Sequence, residues 1–410
     1  MSGNRPLQRV VYVVSLFPSL SETFIVREIS SLIERGVDVR IISLKKSFPG
    51  LLQNDASTLL DRVRHPQPTA VALRDTWRAF RLNPRAVWRA SIAIIVDSWR
   101  KPMVAAKSVG ALFRALQHVP WLQQFDPQLL HAHWATYPST AAWALGEVLN
   151  RPFSFTCHAH DIFIEKQLLA RKIHEAALAV TISQHNVDWL RIHATPHAAE
   201  KLKVIHCGVD LERTPLSMGI REPRSMLAVG RLDPVKGFET LIDAMGLLRD
   251  RGVALDCRLV GSGPLDQSLR QRALERGVAS CIDFVGPQPY ERISSWMKTA
   301  TLFVLPSQVA ADGNRDGIPV ALMEAMASGC PVVSTRVSGI PELIEDNHNG
   351  MLVEQRDPAA LADAIKRLLD SAELRHRLAA GARARIEDHF DARKEAGRLH
   401  GLMTEAAYGA

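Results

Sequence analysis

The run Asp316-Gly317-Ile318-Pro319-Val320-Ala321-Leu322-Met323-Glu324-Ala325-Met326-Ala327-Ser328-Gly329 reads as a loop leading into a helix. Pro319 suits the first helical position, where its missing N–H costs nothing. The amides of Val320 and Ala321 then point out of the helix start. With the helix dipole they form a site for an anion such as a diphosphate. Asp316, just before the helix, can accept hydrogen bonds from a sugar, and Glu324, eight residues on, from ribose hydroxyls. The same spacing also fits a plain capped helix with one surface glutamate. A second set, Gly230-Arg231-Leu232-Asp233-Pro234-Val235-Lys236-Gly237, follows an apolar strand. Two cations at a strand end, Arg231 and Lys236, can grip a diphosphate and stabilise the charge growing on a leaving phosphate. A solvated basic turn is the alternative. Val260-Gly261-Ser262-Gly263-Pro264 is a tight strand-to-helix turn that lacks the third glycine of a dinucleotide fingerprint. His131, His133, His158 and His160 sit at or just past strand ends.

The elements needed to hold these residues alternate between strand and helix. In the first half, Val10–Ser15 is an apolar strand. Ser19 and Glu22 form a capping-box pair before a helix striped by Ile25, Ile29, Leu32 and Ile33 and ended by Gly36. Strands are expected at Val37–Leu44, Leu129–Ala132, Phe153–Thr156, Leu178–Ile182 and Lys203–Ile205. In the second half they are expected at Met226–Val229, Cys257–Val260, Ile282–Val285, Leu302–Leu305, Pro331–Thr335 and Met351–Val353. Such alternation implies parallel sheets covered on both faces. Two sets imply two Rossmann-like domains, 1–207 and 225–390, joined by a linker over 208–224 that contains Gly208, Pro215, Gly219 and Pro223. A last helix near Ala392–Ala407, within 391–410, is expected to pack back on the first domain. Open α/β sheets bind ligands beyond the C-terminal ends of their strands.

The segment Glu324 to Val332 resembles the signature of family 4 retaining glycosyltransferases, in which Glu, seven residues and a second Glu precede Ala-Met-Ala-x-Gly-x-Pro-Val. The first acid is shortened here to Asp316. The Asp-Gly-Ile-Pro form, and the opening Val14-Ser15-Leu16-Phe17-Pro18-Ser19-Leu20-Ser21-Glu22-Thr23-Phe24, resemble the branch that builds bacterial exopolysaccharides of the colanic-acid type. The resemblance spans nearly the whole chain. It implies a GT-B fold, with two doubly wound α/β domains facing across a cleft. It also implies retaining transfer of a sugar from a nucleotide-diphosphate donor to a saccharide acceptor, lipid-linked, at the inner membrane face. Thr156-Cys157-His158-Ala159-His160-Asp161 resembles the family's Thr-x-His-x-x-Asp, whose histidine lies near the donor sugar. His158, Arg231, Lys236 and Asp316 are thus the implied catalytic set. Donor binding extends to Gly230, Gly261, Val285, Gly317, Ile318, Pro319, Val320 and Glu324. Val285, in Phe284-Val285-Gly286, resembles the edge that holds the base. Ser19, Ser21, Glu22, His133 and Asp161 are implied on the acceptor side. Many members carry a glycine pair in the turn Phe17–Thr23 to admit the donor phosphate; here Ser19, Ser21 and Thr23 stand in, or serve capping alone. GT-B enzymes hold the diphosphate with side chains and helix dipoles, so neither a metal nor a cofactor is expected, the four histidines notwithstanding.

Bulk properties bound the rest. At 410 residues and 47% hydrophobic content the chain suits two to three globular domains. No apolar run of about 18 residues marks a membrane span. The run Val10–Phe17 lacks a small-residue cleavage site and reads as a strand, so a cytoplasmic protein is expected, peripheral on the inner face of the membrane. The five scattered cysteines form no CxxC pair, which argues against a disulfide framework and a zinc site. Net charge is +7, yet Arg62 to Arg114 alone carries eleven Lys or Arg against two Asp. Within it Arg74, Arg78, Arg81, Arg85 and Arg89 alternate with Leu73, Trp77, Phe80 and Trp88, and Pro84 kinks or breaks the helix. A cationic stripe beside an aromatic one, within 62–118, suits an anionic membrane surface. A helix packed by its tryptophans is the alternative. No nucleic-acid motif accompanies the charge, so nucleic acid is not an expected partner. Two other functions fit the same chain: a non-catalytic nucleotide-sugar-binding subunit, and a GT-B sugar-nucleotide epimerase. A phosphorylase would need a pyridoxal-phosphate lysine motif, which the chain lacks.

Overall fold

The computed structural model describes residues 6–18, 23–46, 54–164, 166–193 and 201–409. They fall into two units. The first comprises residues up to Ile182, Asn186–Ile205 and Arg393 onward; the second comprises Ser183–His185 and His206–Ala392.

The first unit is built on a seven-stranded parallel sheet. Its strands are β1 (Arg9–Val14), β2 (Asp38–Ser43), β3 (Val63–Arg64), β4 (Leu129–His133), β5 (Phe153–Cys157), β6 (Leu178–Thr181) and β7 (Leu202–Val204), in the order β3-β2-β1-β4-β5-β6-β7. β1 is central, with Val10 opposite Leu129 and Val39. Its residues Val10 to Val14 are all fully buried, as the continuous apolar run demands of a strand covered on both faces. Alternate residues serve different cores. Val11 and Val13 pack under the helices between residues 69 and 149. Val10, Tyr12 and Val14 pack against the helix Thr23–Glu34, through Ile25, Ile29 and Leu32, and against Leu399 and Met403 of the last helix, Ala392–Tyr408.

The second unit repeats the plan with β8 (Ser225–Val229), β9 (Asp256–Val260), β10 (Ile282–Gly286), β11 (Leu302–Leu305), β12 (Val332–Thr335) and β13 (Met351–Val353). They form a six-stranded parallel sheet ordered β10-β9-β8-β11-β12-β13. In both sheets the order reverses beside the first strand, the doubly wound pattern that leaves a crevice at the C-terminal strand ends. Residues 208–224, expected as a linker, group with the second unit. Val209 N–H donates to the Phe390 carbonyl at 2.8 Å, and the Arg221 guanidinium donates to the carbonyls of Met297 and Ala300. A backbone whose polar groups are answered by one core is part of that core, whatever its glycine and proline content.

The basic region forms three helices, Thr69–Leu82, Pro84–Ser98 and Pro102–Leu116. The break expected at Pro84 is there: Asn83 accepts from Ala86 N–H at 3.1 Å, and Pro84 takes the first helical position. The inward face is alanine, with Ala72, Ala79, Ala86, Ala90 and Ala93 buried. The tryptophans contribute only a surface cluster, with Trp77 stacked on Phe80 at 5.6 Å and Trp88 of the next helix edge-on to the same ring at 6.4 Å. Trp77, Trp88 and Trp99 stand 60%, 59% and 68% exposed.

Candidate functional site

In the second unit the sequence-selected residues gather at the reversal between β8 and β11. Lys236 ends the turn after β8, and Asp316 lies in the segment after β11. The Lys236 ammonium donates to both oxygens of Asp316, at 2.7 and 2.9 Å, and Ser307 Oγ donates to Oδ2 at 3.0 Å. Both members of this pair are largely buried, which makes each the other's main counter-charge. Glycines bring the turns together. Gly237 has φ of +66°, and a Cβ there would run into the carbonyl oxygen of Pro306, at the end of β11. Gly261, at φ +142°, lies against the carbonyl of Gly230 in the same way. Gly230 N–H donates to Val260 at 3.0 Å, and Gly261 N–H to Gly286 at 3.1 Å, so the turns after β8, β9 and β10 are laced in series. Only glycine allows such approach with positive φ.

Arg231 is mostly exposed, with Nε 3.9 Å from Asp233 Oδ2. Val285, on the edge strand β10, offers its carbonyl to Gln288 Nε2 at 3.1 Å, and the strand is irregular between Phe284 and Gly286. The expected helix is Val320–Ala327, with Pro319 as its cap and not its first residue; Gly317 and Ile318 lead into it. A one-residue shift leaves Val320 and Ala321 in the first turn, where amides lack intrahelical acceptors. Glu324 is not a surface residue: it is 8% exposed on a helix whose residues Leu322 to Ala327 are all buried.

In the first unit His158 follows β5, and its ring is held by three neighbours. Trp134 and Phe24 flank its ring, with centroids 4.5 and 5.0 Å away. Trp134 takes φ of +75°, a backbone state costly for a bulky residue. His158 Nε2 lies 3.2 Å from His133 Nδ1, and His133 Nε2 lies 3.0 Å from Glu28 Oε1. Tyr12 donates to the same Glu28 oxygen at 2.6 Å. Burial would raise the Glu28 carboxyl; His133, His131 and Tyr12 outweigh it and hold the group below the usual carboxylate range. Its partners assign the tautomers. His133 donates Nε2–H to the carboxylate, its Nδ1 is left to accept, and His158 donates Nε2–H to it. Burial, with His133 beside it, lowers His158 to about 3, so the ring is neutral. Burial likewise lowers His131 to about 3; its two nitrogens face Ser154 Oγ at 2.8 Å and Thr156 Oγ1 at 3.2 Å. Ligand atoms of Glu28, His131 and His133 lie within 4.8 Å of one another, a spacing that also suits a metal. Each is already engaged in the hydrogen bonds just given.

Asp161 is fully buried, accepting from His158 N–H at 2.6 Å and from Ala135 N–H. Lys172, also fully buried, donates to the carbonyls of Ala135 and Thr136 and to Ser139 Oγ. Ala135 is thus held through both its N–H and its carbonyl, which ties the loop after β4 to the loop carrying His158. Burial pushes Asp161 up and Lys172 down, each to about 7. His160 is exposed. Ser19, Ser21 and Glu22 lie outside the described residues. Tyr12, Glu28 and Lys172 were missed by sequence reasoning. Glu28 carried a signal: it lies three residues after Ile25 and four before Leu32, on the buried stripe of its helix, where a carboxylate needs partners.

Two parallel doubly wound units with a charged pair at the second reversal describe a GT-B transferase. The Glycosyltransferase Family 4 domain matches residues 21–213, and the Glycosyl transferases group 1 domain matches residues 218–385. The chain is 31% identical over 405 residues to the amylovoran biosynthesis glycosyltransferase AmsK of Erwinia amylovora, covering 93% of this chain and 96% of that one. It is 29% identical over 404 residues to the putative colanic acid biosynthesis glycosyltransferase WcaL of Escherichia coli K12, with the same coverage, 93% and 96%. The chain belongs to this glycosyltransferase family and is a glycosyltransferase. Its fold is that of sucrose-phosphate synthase from Thermosynechococcus elongatus, with TM-score 0.73, 18% identity and coverage of 98% of this chain and 100% of that one. Anabaena HepE in complex with UDP and glucose is similar as well, with TM-score 0.66, 19% identity and coverage of 97% and 99%. No helix among the described residues is long and apolar enough to cross a membrane.

Proposed function

We propose that the chain transfers a sugar, with retention, from a nucleotide-diphosphate donor to a lipid-linked saccharide in bacterial exopolysaccharide biosynthesis. The Lys236–Asp316 pair at the reversal of the second sheet carries this reading. A diphosphate arriving there meets a cation that is already oriented, together with the exposed Arg231 and the first-turn amides of Val320 and Ala321. Charge on the departing diphosphate is then stabilised without reorganisation of the site. Gly230 and Gly261 permit close backbone approach, Val285 lies at the base-binding edge, and Glu324 takes the ribose hydroxyls. The acceptor O–H attacks the anomeric carbon on the face the diphosphate leaves. A diphosphate oxygen takes the proton, so no protein nucleophile and no metal enters the reaction. His158, neutral and held by His133, is a hydrogen-bond group for a sugar hydroxyl and not a general base. The exopolysaccharide context rests on AmsK and WcaL, similar along nearly their whole length.

A peripheral membrane location is part of the same proposal. Trp77, Trp88, Ile92, Ile95, Val96, Trp99 and Met103 are all more than half exposed, among the cations Arg74, Arg78, Arg81 and Arg85. Such a face binds an anionic bilayer by insertion and attraction together. The test of the donor site is turnover of Lys236→Ala and Glu324→Ala under saturating acceptor. Wild-type rates in both would sink the assignment.

A further inference from the structure

Outside these residues the first unit holds a second concentration of charge. A pocket of about 480 Å³ is lined by Arg40, Arg62, Arg64, His65, His118 and Trp121, and also by the single carboxylate Asp61. Strand pairing makes it: β3 lies beside β2 with Ile41 opposite Val63 and Ile42 opposite Arg64, so arginines from two strands converge under the helix Val119–Phe125. Arg62 and Arg40 share one carboxylate, Asp38, at 2.9 and 3.1 Å. Arg64 has none. Its guanidinium lies 4.4 Å from the ring centroid of Trp121 and, among the described residues, has no hydrogen-bond or carboxylate partner. His118 is 1% exposed, and among the described residues neither of its ring nitrogens has a hydrogen-bond partner. Burial and the neighbouring Arg40 lower Arg64, while burial and Arg64 lower His118 to about 4. Arg64 is exposed and open to a ligand, whereas the unanswered imidazole of His118 is buried, and a buried polar group without a partner is costly unless something completes it.

We propose that this pocket binds a phosphate group, through the free fork of Arg64 with Arg40, Arg62 and His118. The planar guanidinium stacked on Trp121 matches phosphate oxygens bidentately. The volume suits an organic phosphate and not only the bare ion, since small-ligand pockets run from about 300 to 1,000 Å³. The group comes either from a soluble phosphate ester or from an anionic lipid headgroup. The pocket shares no residue with the Lys236–Asp316 pair, and the inference does not depend on the donor reading.

The test uses the full chain with 15N-labelled histidine, the His118 signals being identified by their loss in His118→Gln. Inorganic pyrophosphate and glycerol 3-phosphate are titrated at constant ionic strength. We expect a saturable shift of the His118 imidazole with no movement of His158. In Arg64→Ala, affinity should fall by about ten- to a hundredfold, the worth of a hydrogen bond to a charged group. Arg64→Lys, which keeps charge but loses the fork, should fall between. Co-sedimentation then separates the sources. Loss of binding to phosphatidylglycerol vesicles in Arg64→Ala, measured against phosphatidylcholine vesicles, assigns the headgroup; unchanged co-sedimentation assigns a soluble ester. The proposal is overturned if His118 responds to neither phosphate and neither vesicle, or if its response is undiminished in Arg64→Ala.

Discussion

Glu28 Oε1 stands 3.0 Å from Nε2 of His133, and this bond decides which nitrogen of His158 carries its proton. Glu28 therefore acts through the His133 ring on the imidazole expected to meet the sugar, as a positioning residue. Glu28→Gln keeps an acceptor for His133 and Tyr12 and should retain the wild-type tautomer of His158. Glu28→Ala leaves His133 and Tyr12 unanswered, should let His158 sample both tautomers, and should lower kcat with little change in donor KM. Histidine side-chain NMR reads the tautomer directly. An unaltered His158 signal in a folded Glu28→Ala protein would refute the relay.

Lys236 and Asp316 are 80 residues apart in sequence, and their contact is the main testable feature of the donor site. Lys236→Ala should reduce turnover by about 10²–10³, the usual loss when one preorganised donor to a growing negative charge is removed. Thermal protection by nucleoside diphosphates should fall with it, because a ligand of the native state alone raises the unfolding midpoint. Full protection in the variant would place the diphosphate elsewhere.

How much of this was legible beforehand follows from what each feature depends on. Strands such as β1 and β11 were readable because burial on both faces writes itself as an unbroken apolar run. β3, two residues long, has no period to read. Asp316 and Lys236 stood out by their places at a helix start and a strand end, and the resemblance added their roles and singled out His158; that Lys236 would sit on Asp316 needed the order of strands. Asp161 was expected on the acceptor side from its motif position; its carboxylate accepts from the Ala135 and His158 amides, bonds that needed the loops after β4 and β5 side by side. The outward tryptophans were undecidable because alanines on the other face could, and do, make the core contacts.

Gly237 tests whether backbone approach sets the donor site. Gly237→Ala must place a methyl against the Pro306 carbonyl at φ +66°. The strain alone costs about 1–3 kcal/mol, and relief would move the turn that carries Lys236. Stability by denaturant unfolding and donor protection should both fall. Loss of neither would show the turn to be adaptable.

The exposed face of the basic helices makes a separate prediction. Trp77→Ser and Trp99→Ser remove apolar area that already faces solvent, so the folded state should be little disturbed. Binding to phosphatidylglycerol vesicles should drop while pyrophosphate binding at Arg64 is unchanged. Equal vesicle binding by the double variant would remove the tryptophans from any membrane role.

Stability should fall as the solution is made acidic, and the sign follows from three buried histidines. His131 and His158, at about 3, and His118, at about 4, are lowered by burial from an ordinary value of 6.5. Between those values the unfolded chain binds protons that the native chain refuses. Their stability is therefore present above pH 6.5 and lost as pH falls toward 4, at up to about 1.4 kcal/mol per pH unit for each. Asp161 opposes them: burial raises it from 3.8 to about 7, so its native form holds a proton over nearly the same window. Three histidines against one carboxyl leave a net loss on acidification. Urea unfolding at pH 7.5 and pH 5 measures it. His118→Gln, which removes one of the three, should flatten the difference, and Asp161→Asn should steepen it. A difference unaffected by either would mean that these buried groups do not set the acid limit of the fold.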